Sequence, residues 1–412
     1  MTYDAMKMLN LNTFSKRLVF ETVLCVNCPI SIDYIMKKLF LPAILIFSFG
    51  LTSCHKAGID SAVSEEQQGS SSSSGEAGVI TAAEWNDLEN WPFWSSLVSS
   101  NADLQNVISE WGYYTNNRVE VKVKDQAGNM VVNAKVELKK DDEVLFTAKT
   151  DNRGRAELWL GLNDEVFVDD TRDYKLFVNG VHSRTGFSPG INPITIESAN
   201  DHENVAQVAF VVDVTGSMGD ELNFLKLDMQ NVIERVGAKN PTTTLQTGAV
   251  FYRDNGDDFV TKLSSFTNDV SSTLDFINQM NAQGGGDTPE AVHSALEETL
   301  GNLDWNENAR TRIVFLILDA SPHLKSNVIA SLQSSINQAA SMGVKIVPIT
   351  ASGISKETEF IMRSFSVATN GTYVFITDDS GVGESHIQAT VGDYQVEYLN
   401  DLLVRLIHEN VE

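Results

Sequence analysis

Two hydrophobic periods divide this chain. From residue 118 the period is two: RVEVKVKD sets Val119, Val121 and Val123 against charged neighbours. AKVELKK repeats the pattern with Ala134, Val136 and Leu138, and RAELWL with Ala156, Leu158 and Leu160. Short alternating runs, parted by turn residues such as AGN and TDNRG, predict a small antiparallel β-sandwich over 113–200. From residue 201 the texture changes to continuous apolar runs, VAQVAFVVD, TGAVFYRD, RIVFLILD and VKIVPIT, parted by amphipathic stretches such as ELNFLKLDMQNVIERV. Strands without alternation are buried on both faces. The pattern therefore predicts an α/β domain over 201–412, with a doubly wound, mostly parallel sheet, closed by a helix around YQVEYLNDLLVRLIHE.

The first part of the chain has neither period. Segment 80–112 gathers Trp85, Trp91, Phe93 and Trp94 and is expected to plug onto the domain that follows, with a short helix over 100–111. Ahead of it, 54–79 is polar and rich in Ser and Gly, a flexible linker. MKKLFLPAILIFSFGL is a basic head and an apolar run too short to span a bilayer as a helix, which makes 36–53 a signal peptide. Residues 1–35 then read as an upstream extension from a mis-assigned start. LTSC, ending at Cys54, resembles the lipobox of bacterial lipoproteins. That resemblance implies cleavage before Cys54, acylation of its sulfur and new amino group, and attachment to the outer membrane, on its periplasmic or outer face. The pair in CVNC, Cys25 and Cys28, has no second pair to complete a zinc site.

Charge narrows the functional classes. The 412 residues carry 30 basic and 55 acidic side chains, a net charge of −25. Nucleic acid is a poor partner for such a surface, whereas divalent cations are compatible with it. No GxxxxGK[ST] nucleotide loop occurs. Similar sandwiches, of the carboxypeptidase-regulatory or transthyretin-like kind, lie beside catalytic or adhesive domains, and the one here is expected to act as a spacer.

The candidate chemistry sits where strands of the α/β domain end, the edge at which open sheets bind ligands. DVTGSMGD supplies Asp213, Thr215 and Ser217; GGGDTPEA supplies Asp287 and Thr288; and RIVFLILD ends in Asp319. Hard oxygen donors brought to one edge suit a small divalent cation. Helix capping would account for one such strand end and not for three.

Together these motifs resemble the metal-ion-dependent adhesion site of von Willebrand factor type A domains, in the subgroup found in hemicentins and alpha-kinase-linked proteins. The resemblance implies that Asp213, Thr215 and Ser217 hold Mg2+, with Mn2+ or Ca2+ as alternatives, and that Asp319 stands opposite through water. It leaves the loop ligand to Asp287 or Thr288, with Asp287 favoured for its charge. It also implies a protein ligand whose Asp or Glu carboxylate completes the metal shell, and no enzymatic activity. An added carboxylate in the loop would tighten the cation and weaken its pull on an acidic partner. The rival readings are metal-assisted hydrolysis, with Glu221, Glu290 or His323 as base, and a structural envelope component stiffened by its metal. The acidic run 253–258 is expected to be a turn with a salt bridge, and His323 a hydrogen-bonding loop residue.

Overall fold

The computed structural model describes residues 77–197, 201–286 and 288–412. The signal segment, Cys25, Cys28, Cys54, almost all of the linker, and Asp287 lie outside the described residues. The first element is a short strand, β1 (Thr81–Trp85). Two helices follow, α1 (Trp91–Ser100) and α2 (Ala102–Trp111). Asn101 separates them, and its side chain accepts from Leu104 N–H to cap α2, while Gly112 at φ 64° ends it. Trp94 and Trp111 are buried, their indole N–H groups held by Thr115 and Glu357 at 2.9 and 2.8 Å.

The sandwich comprises β2 (Arg118–Asp125), β3 (Lys135–Lys140), β4 (Glu143–Lys149), β5 (Arg155–Trp159), β6 (Tyr174–Val178), β7 (Val181–Thr185) and β8 (Ile191–Ile196). They form a three-stranded sheet, β5-β2-β8, and a four-stranded sheet, β4-β3-β6-β7. The alternating Val119, Val121 and Val123 of β2 point into the core and are fully buried. One expectation needs correction: the sandwich is not wholly antiparallel, because β8 runs parallel to β2. The chain leaves β7 in one sheet and crosses to the other, so it arrives beside β2 in the same direction.

The α/β head continues with β9 (Glu203–Asp213), α3 (Leu222–Lys239), β10 (Thr244–Tyr252), β11 (Thr261–Thr267), α4 (Val270–Asn278) and α5 (Val292–Asn302). Then come β12 (Ala309–Leu318), α6 (Ser326–Met342), β13 (Val344–Thr350), α7 (Lys356–Ala368), β14 (Tyr373–Ile376), β15 (Val396–Tyr398) and α8 (Leu399–Val411). The eight-stranded sheet has the order β11-β10-β9-β12-β13-β14-β1-β15. The five central strands, β10, β9, β12, β13 and β14, are parallel, and the antiparallel strands lie toward the margins. Helices cover both faces. Val208, Phe210 and Val212 of β9 pack toward α3 and α8, while Ala209 and Val211 join a core that includes α5, α6 and α7 and runs on into the sandwich.

The place of β1 corrects the domain boundary. The head does not begin at residue 201, since β1 pairs with β14 and β15 inside its sheet. The sandwich is thus an insertion between two strands of one sheet. It cannot be a spacer set between the linker and the head, because the chain enters the head first. A buried ion pair locks this entry: Arg363 of α7 donates to Asp87 through Nε at 2.8 Å and Nη2 at 2.7 Å.

Candidate metal centre

Strands β9 and β12 are neighbours in parallel register, Val212 beside Ile317, so their carboxyl ends emerge together. Asp213 closes β9 and is 0% exposed. Its Oδ1 accepts from Thr215 twice, from N–H at 2.8 Å and from the hydroxyl at 2.6 Å. Its Oδ2 makes no well-formed hydrogen bond, and the Tyr252 hydroxyl faces the carboxyl. After Thr215 the chain makes a single tight helical turn, Gly216–Gly219, anchored by buried Met218. That turn carries the exposed Ser217, whose hydroxyl lies 3.3 Å from that of Thr215. On the other side Ser217 faces Asp319, which is 8% exposed and whose Oδ1 makes no well-formed hydrogen bond.

The glycine loop closes over this pair of strand ends. Gly216 N–H donates to Gly284 O and Gln283 N–H to Val214 O, both at 3.0 Å. Gly284 and Gly285 adopt φ of 76° and 56°. At Gly285 a Cβ would stand 2.9 Å from both Glu290 Oε1 and the Thr215 Cβ. Gly285→Ala is therefore expected to cost about 1–3 kcal/mol in a urea unfolding titration. Gly286→Ala, where nothing lies within 4 Å, should be nearly neutral. Equal effects of the two substitutions would refute this account of the loop.

Of the six predicted metal residues, the structure brings together Asp213, Thr215, Ser217 and Asp319. Thr288 is exposed on the loop and makes no hydrogen bond to those four. Asp287 lies outside the described residues. Two further groups crowd the site. Glu290 is 2% exposed with an unpartnered Oε2, and its N–H donates to Ser321 O at 2.9 Å, tying the glycine loop to the segment after Asp319. Tyr252, beside Asp213 in the β9–β10 register, turns its buried hydroxyl toward that carboxyl without closing a well-formed hydrogen bond. Sequence reasoning weighed Glu290 only as a base and missed Tyr252, although its place at the end of GAVFY was a usable signal.

Burial and mutual repulsion set the electrostatics. Asp213 is pushed up to about 7 by desolvation and by Asp319, against the hydrogen bonds from Thr215. Asp319 rises to about 6 through burial, with the Ser217 hydroxyl opposing and Glu221 adding to it. Glu290 rises to about 8, first by burial and then by Asp213, Asp254, Asp319 and Asp257. Carboxyls held this way lack a positive charge among their neighbours. Among the described residues no three His, Cys, Asp or Glu side chains are arranged to hold an ion by themselves, so the hydroxyls are needed as donors. Buried carboxylate oxygens without partners, flanked by two hydroxyls, fit a small hard cation.

The other candidates are engaged elsewhere. His323 Nε2 is 2.7 Å from Asp254 Oδ1, so the acidic turn is held by a side-chain contact to a histidine 69 positions along the chain. Asp257 accepts from Gly285 N–H at 2.9 Å and so supports the loop. Glu221 accepts from Ser352 N–H at 3.0 Å and lies 3.3 Å from His386 Nε2.

Residues 207–382 match the von Willebrand factor A domain family. Over 137 residues, 33% of this chain, the sequence is 34% identical to an ariadne-like RING finger protein of Acanthamoeba polyphaga mimivirus. Over 130 residues, 31% of the chain, it is 34% identical to von Willebrand factor A domain-containing protein 7 of Mus musculus. The matched stretch spans 13% of the length of each of these relatives. An aerotolerance-related membrane protein from Bacteroides fragilis superposes with a TM-score of 0.33 at 15% identity, covering 50% of this chain and 98% of that one. The α/β head of this chain carries a von Willebrand factor A domain.

Proposed function

We propose that the head is a divalent-cation-dependent binding module that captures a protein ligand through an acidic side chain. The observation that carries this reading is the pair of buried carboxylates, Asp213 and Asp319, each with an unpartnered oxygen at adjacent strand ends, with the Thr215 and Ser217 hydroxyls between them. Asp213, Thr215, Ser217 and Asp319 would hold Mg2+, with the glycine loop supplying Asp287 or Thr288. When bound, the cation supplies a positive charge and an open position for a carboxylate. The protein's part is to keep the hydroxyls aligned and water away from Asp213. Mn2+ fits the same donors, and Ca2+ prefers a larger oxygen shell. The lipobox-like LTSC supports attachment to a membrane through Cys54, with the polar linker as tether.

Hydrolysis is the weaker reading, because His323 and Glu221, two of its three candidate bases, are already committed to hydrogen bonds, with Asp254 and with Ser352 N–H. The deciding experiment is a pull-down from envelope extract by the full chain, with Mg2+ or with EDTA, comparing wild type with Ser217→Ala. Loss of the same bound protein on chelation and in the variant is the expected result. Retention of that protein under both conditions would leave the metal a purely structural role and end the proposal.

A further inference from the structure

A cavity of 470 Å3 lies where the sandwich meets the head, beneath β1, β12 and β13 and beside α8. Its wall is charged yet balanced. Arg118 with Glu157 and Lys345 with Asp151 form close pairs at 2.7 and 3.0 Å, and Arg405 meets Glu84 at 2.9 Å. Arg405 also meets Glu409, at 3.3 Å, while the contacts of Arg153 and Arg155 are looser. Arg153 stands 3.8 Å from Glu89 and 3.7 Å from Glu409, and Arg155 stands 3.9 Å from Glu89. Those separations exceed hydrogen-bond length, and Arg155 Nε is buried without a partner. A guanidinium N–H left without a hydrogen-bond partner is costly, and a ligand carboxylate drawn to Arg153 and Arg155 offers it one. Leu88, Ile313, Val347 and Leu406 supply an apolar part of the wall.

We propose that this cavity binds a small zwitterion with an aliphatic side chain, an amino acid or a dipeptide. Its carboxylate is held by Arg153 and Arg155, and its ammonium faces Glu89. A wall with equal numbers of acids and bases gives no net attraction to a polyanion or a polycation. It does reward a ligand that carries both charges at a fixed separation. Guanidinium groups suit the carboxylate end because they bind it with paired, directional hydrogen bonds. The site is remote in the fold from the strand ends that carry Asp213 and Asp319, so its occupancy should not depend on a divalent cation.

The test uses calorimetry and thermal melting of the full chain with leucine and alanyl-leucine at about 10 mM, in EDTA. Isovalerate and isoamylamine serve as analogues that keep only one charge. Both zwitterions should bind, and each single-charge analogue about tenfold or more weakly. Arg153→Ala, half exposed and outside the core, should weaken leucine about tenfold, and Arg155→Lys should do the same while keeping the charge. Melting of both variants without ligand reports whether they fold. The proposal is overturned if neither zwitterion binds, if isovalerate binds as well as leucine, or if folded Arg153→Ala binds like wild type.

Discussion

Replacing Asp213 by Asn is expected to stabilise the metal-free protein by a few kcal/mol at about pH 8, and to abolish its response to Mg2+. The reason is the pressure on three buried carboxyls that face one another. Asp213 and Asp319, at about 7 and 6, both lie above their ordinary value, so the folded state binds protons that the unfolded chain releases near pH 4. Stability from this source is present in acid and is lost as pH rises through the folded values, between about 4 and about 7. A shift of three units in a buried group corresponds to about 4 kcal/mol, a ceiling for Asp213 alone since the carboxyls are coupled. Asp151 works in the opposite sense, because burial, which raises it, is outweighed by Lys345 and backbone N–H groups that lower it. The informative quantity is therefore the difference between wild type and Asp213→Asn, followed by urea unfolding across pH in EDTA. With saturating Mg2+ the wild-type profile should flatten, since the cation favours the ionised form. A metal-free Asp213→Asn less stable than wild type at pH 8 would contradict this account.

The second large effect concerns Arg363. Arg363, Asp87 and Glu359 are all buried, and Arg363 is hydrogen-bonded to both carboxylates, to Asp87 at 2.7 and 2.8 Å and to Glu359 at 3.1 Å. Arg363→Met leaves the two acids buried near one another, with only Lys356 at 2.7 Å to compensate Glu359. A loss of about 3–5 kcal/mol in urea unfolding is expected. Asp87→Asn keeps the Arg363–Glu359 pair and should cost distinctly less. The reverse order of the two losses would refute this account.

The parallel core of the head was legible because VAFVVD and RIVFLIL are buried on both faces and carry no polar interruption. Their shared end made Asp213 and Asp319 readable as neighbours before any coordinates. The sandwich strands were legible through their period of two, but the pairing of β8 with β2 was not, since alternation says which face is buried and nothing about direction. TAAEW was unreadable as a strand of the head: five residues carry no period, and their partners at 373–376 and 396–398 lie some 300 positions away in sequence. The role of Glu290 beside Thr215 was hidden for a similar reason. It depends on how the glycine loop folds back onto the turn after β9, which no local pattern encodes.

The position of β1 also bears on how the protein would carry force. A pull travelling up the chain past residue 77 meets β1 first, where Ala82 lies opposite Ile376 on one side and Glu397 on the other. Both neighbours run antiparallel to it, so an axial load is resisted by rows of backbone hydrogen bonds sheared together rather than peeled singly. The inserted sandwich follows β1 in the chain, so a load borne by that strand would pass into the sheet before it reached the sandwich.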